Sequence, residues 1–155
     1  MYRFILKELC TKKNKYAPID KLKEALEKND MQGACEIVQN VFEELPYDVY
    51  NHKKERHIEA FYHGVIHILF HYLGLYIQSE VHTSRGRADA VVFTNTHIFI
   101  FEFKIGKSTA AAMQQLVERK YAAKFRESGK EVALIAVNFD KEEQEMEDWE
   151  VANYK

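Results

Sequence analysis

The segment Gly86-Arg87-Ala88-Asp89-Ala90-Val91-Val92-Phe93 runs through Thr94-Asn95-Thr96 into His97-Ile98-Phe99-Ile100-Phe101-Glu102-Phe103-Lys104. Both halves are rich in β-branched and aromatic residues, which favour strands. The link between them is polar, with Asn95 at its centre as a turn former. The pattern predicts a β-hairpin. With Asn95 and Thr96 as a two-residue loop, Thr94 pairs with His97, and counting back along both strands sets Asp89 opposite Glu102. Alternation then places Lys104 on the face of Glu102. A shift of one residue would send the two acids to opposite faces, so the turn decides the reading.

Two carboxylates facing each other across a sheet repel and weaken it. A divalent cation removes that penalty, because hard cations such as Mg²⁺ prefer carboxylate oxygens. A lysine beside them supplies a fixed positive charge, suited to stabilising a developing oxyanion or positioning an attacking water. The plainer alternative is an amphipathic hairpin whose acids face solvent, and spacing alone does not choose between the two.

Gly86-Arg87-Ala88-Asp89, then Phe101-Glu102-Phe103-Lys104, then Gln115-Leu116 and Tyr121 on the next predicted helix resemble the PD-(D/E)XK nuclease superfamily. More narrowly, they resemble the nuclease-like domain at the C-terminus of many bacterial proteins that begin with an AAA-type ATPase domain. The resemblance covers Glu59 to about Trp149, and Ala88 stands where a Pro is usual. It implies a restriction-endonuclease-like α/β fold and metal-dependent phosphodiester hydrolysis, with DNA favoured over RNA. It implies Asp89 and Glu102 as ligands of Mg²⁺ or Mn²⁺ and Lys104 as the catalytic lysine. Glu59, on the helix before the first strand, would help build the metal site, with Glu55 one turn earlier as its rival. Gln115 would contact the substrate backbone or the catalytic water. An ATPase domain, another protein partner or a second copy in a homodimer would suit the same resemblance. So would a different class of function, an inactive nuclease-like binding or regulatory module.

Arg87 shares the Asp89 strand and has two open readings, bidentate phosphate binding or pairing with Glu80. Tyr121, six residues past Gln115, is read as packing. His63, His67 and His71 recur every fourth residue in line with Glu59. That stripe suits either a shared transition metal or partly buried histidines. His63, one turn from Glu59, is the member expected near the site and its substrate.

The 155 residues suffice for one domain with a core. Apolar residues make up 46% and there are only two prolines, which argues for a folded chain. A net charge of −2 is not the footprint of a strongly basic nucleic-acid binder. The charge is uneven: residues 131–155 hold eight acids against two lysines, leaving the rest of the chain net basic. The acids read as solvated surface. Cys10 and Cys35 form no metal spacing or disulfide framework, which makes a reducing cytoplasm the default. The N-terminal residues lack a signal-peptide pattern, and no run approaches the ~20 apolar residues of a membrane span. No Walker-type loop or dinucleotide fingerprint occurs.

Periodicity and punctuation predict the remaining elements. A short helix is expected over Tyr2–Leu9, then one over Asp20–Lys28 capped by Asp20. Another begins at Asn29-Asp30 and ends near Leu45-Pro46. Residues 1–46 thus read as a helical segment packed on a nuclease-like core of residues 47–155. That core begins with a loop over 47–54, a helix over Glu55–Leu73 and a strand over Leu75–Thr83. After the hairpin come a helix from Thr109 to about Glu127, capped by Ser108, and a strand over Glu131–Asn138 reached by a parallel crossover. Trp149-Glu150-Val151 reads as an edge strand. The expected architecture is a mixed sheet flanked by helices.

Overall fold

The computed structural model describes residues 17–45, 55–83, 85–140 and 146–154, with side chains from 21 in the first stretch and from 58 in the second. The helix expected over Tyr2–Leu9, Cys10 and the loop over 47–54 fall outside these residues. Two helices come first, α1 (Ala17–Glu27) and α2 (Met31–Glu43), then the long α3 (Glu55–Tyr72). Strands β1 (Tyr76–Thr83), β2 (Gly86–Phe93) and β3 (His97–Ile105) follow. Helix α4 (Thr109–Glu118) and a 3₁₀ segment (Tyr121–Ser128) lead to β4 (Glu131–Phe139) and β5 (Met146–Tyr154). The five strands form one mixed sheet in sequential order. Only the β3–β4 pairing is parallel, as the helical crossover requires. This is the expected α/β, restriction-endonuclease-like arrangement.

Alternation sorts the apolar residues into two layers. On one face Ile77, Ala90, Val92, Phe99, Phe101 and Phe103 pack with residues of α1, α2 and α3. On the other, Val81, Ala88, Val91, Ile98 and Ile100 meet Ala112, Met113 and Leu116 of α4. Sheet residues buried on both faces explain why β3 and β4 read as nearly continuous apolar runs. An aromatic knot ties α2 and α3 to β4: Phe42 meets Phe139 edge-on at 5.1 Å, and Tyr62 stacks on Phe139 at 4.0 Å. Cys35, inside this layer, has its thiol pushed up to about 12 by burial, and so behaves as a small hydrophobe.

The hairpin has the register read from its turn. Phe93 pairs with Ile98, Val92 with Phe99, Val91 with Ile100 and Ala90 with Phe101. Thr94 fixes it twice over. Its amide donates to the His97 carbonyl at 2.9 Å, and its Oγ1 accepts from the His97 amide at 2.9 Å.

Two expected boundaries differ. Helix α1 begins at Ala17, so Asp20 lies within it and is not its cap; Pro18, lacking an N–H and with φ fixed, is at home in a first turn. The helix expected to reach Glu127 stops at Glu118, and Lys120 takes a left-handed φ of 51°. On a continued helix Tyr121 would sit about 140° around from Leu116, away from the sheet. The break instead lets Tyr121 bury completely. Other signals hold: Asp30 caps α2 through the Gly33 amide, and Ser108 caps α4 through the Ala111 amide. Strand β5 is an edge strand with Glu147, Asp148 and Glu150 exposed.

Replacing Thr94 with Val keeps its shape and removes the acceptor of the His97 amide. Urea unfolding is expected to show a loss of about 1–2 kcal/mol, the usual cost of a buried unpaired donor.

Candidate active site

The ladder between β2 and β3 stops at Ala90 and Phe101, one residue short of the acids. Beyond it the Phe103 amide donates to Asp89 Oδ2 at 2.8 Å, so a side-chain carboxylate takes a place a strand carbonyl would otherwise fill. The neighbouring β1–β2 ladder is also interrupted here. Ser79 pairs with Ala90 and Val81 with Ala88, and between them Glu80, with φ +54°, faces Asp89. A left-handed non-glycine residue is costly, on the order of 1–2 kcal/mol. Its effect is visible in the packing, because Ile77 and Val81, four apart, lie in opposite layers, as do Ala88 and Ala90. The strands change face where Asp89 leaves the sheet.

Glu102 is 2% exposed. Its Oε1 accepts from Lys104 Nζ at 2.7 Å and from Gln115 Nε2. Lys104 also donates to Gln115 Oε1 at 3.0 Å, closing a triangle of side chains from β3 and α4. The placement of α4 makes this possible. Asn138 Oδ1 accepts from the Lys107 amide at 3.1 Å, and Thr109 Oγ1 donates to Asp148 Oδ2 at 3.2 Å, anchoring the loop before α4 to β4 and β5. The other Glu102 oxygen, Oε2, is buried with no hydrogen-bond partner among the described residues.

Burial raises both carboxyls above their ordinary range. For Asp89 it outweighs the Phe103 amide and the charges of His63 and Lys104, and Glu59 adds to the rise. For Glu102 burial outweighs the Lys104 hydrogen bond, and the charge of Asp89 pushes further in the same direction. The pair is therefore electrostatically frustrated as it stands.

The helix residues approach from α3. His63 Nε2 is 3.9 Å from Asp89 Oδ2 and 4.0 Å from Glu59 Oε1, and this atom too is buried without a hydrogen-bond partner among the described residues. The His63 ring rests on Phe103 with centroids 5.0 Å apart. Glu59 is 64% exposed at the mouth of the site; the Glu55 side chain falls outside the described residues. His67 bonds Ser79 Oγ at 2.7 Å and stacks on His71. Arg87 forms an ion pair with Glu80 at 3.2 Å. Tyr121 is packing with a polar handle, its hydroxyl donating to the Arg87 carbonyl at 2.7 Å.

The sequence-predicted residues Asp89, Glu102, Lys104, Gln115 and His63 converge; Glu59 lies at the rim and Arg87 turns toward β1. Arg119 was not foreseen. Its charge acts on Glu102, and its Nη1 donates to Tyr121 Oη at 3.0 Å. An arginine just past the end of a helix carries no sequence pattern of its own; it lies one turn beyond Gln115, the residue that bonds Glu102, and its amide donates to the Gln115 carbonyl.

Among the described residues no three His, Cys, Asp or Glu side chains converge as a ready ligand cluster. The donor set nonetheless fits a hard cation. Mg²⁺ is commonly held by one or two carboxylates and completed by water and phosphate oxygens. Glu102 Oε2, buried and unpaired beside a second carboxylate, is what such an ion would satisfy.

A family model described as the PD-(D/E)XK nuclease superfamily matches residues 57–149. An uncharacterized protein in the vnfD 5′ region of Azotobacter chroococcum mcd 1 is 35% identical over 116 residues, which is 74% of this chain and 22% of that protein. This chain thus spans about a fifth of that relative's length. No solved structure matches. The family match spans both acids, the lysine and the helical glutamine, and with this geometry the chain belongs to the PD-(D/E)XK nuclease superfamily.

Proposed function

We propose that this chain is a divalent-metal-dependent nuclease that hydrolyses phosphodiester bonds in DNA. One observation carries the reading: a buried carboxylate, Glu102, and a partly buried one, Asp89, both with raised pKa values, sit beside a lysine that bonds Glu102, and Glu102 keeps an oxygen with no hydrogen-bond partner among the described residues. Perturbed titratable groups gathered in one place mark functional sites.

In this mechanism Asp89 and Glu102 would hold Mg²⁺ or Mn²⁺, with Glu59 assisting from the rim of the site. The bound ion supplies positive charge to the phosphate oxygens and lowers the pKa of water. Lys104, steered by Glu102 and Gln115, presents an ammonium to the charge that develops on the attacking or phosphoryl oxygen. Gln115 holds the lysine and offers its amide to the substrate backbone. His63, whose Nε2 has no hydrogen-bond partner among the described residues, is placed to meet the substrate or a water on the α3 side. Arg87 is free to exchange Glu80 for a phosphate, since both side chains are about half exposed. Preorganisation by packing is what makes these groups effective.

A second reading, an inactive module serving a larger assembly that includes an ATPase or another protein, draws on a different observation. Lys104 and Gln115 both close onto one Glu102 oxygen, and the chain spans only 22% of its Azotobacter relative.

Cleavage of single- and double-stranded DNA and RNA with Mg²⁺, Mn²⁺ or EDTA tests the proposal. Wild-type protein is expected to cut DNA only with a divalent ion. Asp89→Asn and Glu102→Gln are expected to abolish cutting, and Lys104→Ala to slow it by about a hundredfold or more. Folded protein that binds nucleic acid without cutting it would favour the module.

A stability measurement provides a readout apart from activity. Because the folded-state pKa values are raised, the stability from these two carboxyls is fully present below their unfolded values and is lost as pH rises through the folded ones. Without metal, Asp89→Asn is therefore expected to melt higher than wild type at neutral pH and to converge on it as pH falls below the ordinary aspartate value of 3.8. Its amide oxygen can still accept from Phe103. A gain of about 1 kcal/mol corresponds to about 2–4 °C in a chain of this size. Millimolar Mg²⁺ is expected to raise the melting temperature of wild type and leave Asp89→Asn unmoved.

A further inference from the structure

Arg119 sits beside the carboxylate pair without belonging to it. Among the described residues it makes no ion pair within 4 Å, although Glu102 and Asp89 both act on its charge. Among the described residues its guanidinium makes one hydrogen bond, from Nη1 to the hydroxyl of Tyr121, which is fully buried and itself donates to the Arg87 carbonyl. The guanidinium is thus held at one corner by a rigid group while its remaining N–H donors are uncommitted, and a guanidinium carries five in a planar fork.

The slot it occupies depends on Gly86. A Cβ there would lie 2.8 Å from Arg119 Cδ, 2.9 Å from Nη1 and 3.0 Å from Tyr121 Oη, and Gly86 has a φ of +147°. Gly86, Arg87 and Asp89 belong to one short strand segment, so the opening of β2 both seats the arginine and delivers the carboxylate. The arrangement fixes a cation next to a metal-type acid pair without neutralising the pair. A cation needed only for charge balance would form a contact ion pair with Glu102 or Asp89, as Lys104 does with Glu102.

We infer that Arg119, steadied by Tyr121 over the space left by Gly86, forms a subsite for a nucleic-acid backbone phosphate flanking the scissile bond. The inference rests on the nuclease reading and adds a contact to it. Arginine suits this role through bidentate geometry. Sequence-independent phosphate contacts are read out by salt, since each one lost lowers the slope of log K against log salt by about one.

The test uses a fluorescein-labelled DNA duplex and single strand, with anisotropy measured from low to moderate salt. The host is Glu102→Gln protein, so that binding is not obscured by cutting. Adding Arg119→Ala is expected to weaken binding about tenfold at low salt and to reduce the salt slope by about one. Arg119→Lys is expected to keep most of the slope and lose part of the affinity. Tyr121→Phe is expected to weaken binding less, and to add little on top of Arg119→Ala because the two act as one unit. Arg126→Ala, removing an arginine bonded to Tyr154, is expected to change neither quantity.

An unchanged slope in Arg119→Ala overturns the subsite, whether or not affinity falls, since a structural role alone leaves the slope intact. An equal loss in Arg126→Ala also overturns it. In both cases a wild-type protein that still cuts DNA leaves the nuclease reading standing. Absence of DNA binding by the host, together with absence of cutting by wild type, overturns both.

Discussion

The hydrogen bond from the Phe103 amide to Asp89 is the constraint on which the site depends. It ends the β2–β3 ladder without leaving a buried donor unpaired, and so lets two central strands part inside a closed core. A buried N–H without a partner costs on the order of 1–3 kcal/mol, which makes such a gap costly unless something fills it. Here the filler is also a functional group. The carboxylate that completes the backbone's hydrogen bonding is fixed in position by doing so, and the parted strands leave room beside it for Glu102, His63 and the end of α4.

The cost of this opening appears one strand away. Glu80 takes a left-handed backbone opposite Asp89, and the apolar residues of β1 and β2 change layers there. Strain of this kind persists only where the surroundings enforce it and tends to gather at functional sites. In this chain the Glu80 side chain is itself exposed, and the strand that carries it packs against α3. The electrostatic frustration of the acid pair adds to the same local cost. Both are tolerable because the aromatic knot of Phe42, Tyr62 and Phe139 and the long apolar runs of β3 and β4 lie elsewhere in the sheet.

The hairpin and its register were legible because a polar turn between two strongly strand-forming runs leaves few alternatives, and Thr94 enforces the same count from within the structure. Alternation then carried Lys104 to Glu102. The convergence of Gln115 was legible only through family resemblance, since a helical glutamine has no periodic signature. Four features escaped. Helix α1 is already under way at Asp20, where a capping acid looked sufficient. The break at Lys120 followed from burial of Tyr121, a tertiary demand that overrode helical periodicity. Arg119 depended on the space left by Gly86 and on the Tyr121 hydroxyl that holds its guanidinium, neither of which is written in local pattern. The flip at Glu80 also lies beyond alternation, because a period-two reading assumes an unbroken pleat.

Strand β5 ends the sheet with Glu147, Asp148 and Glu150 exposed along it. An edge strand offers unpaired amides and carbonyls to any chain able to extend it. A second copy approaching through this same strand would bring its own row of acids against this one, and like charges in register oppose pairing. The acidic stretch that composition presents as solvated surface therefore acts as a guard against strand addition, and it keeps the growth of the sheet from continuing past its fifth strand.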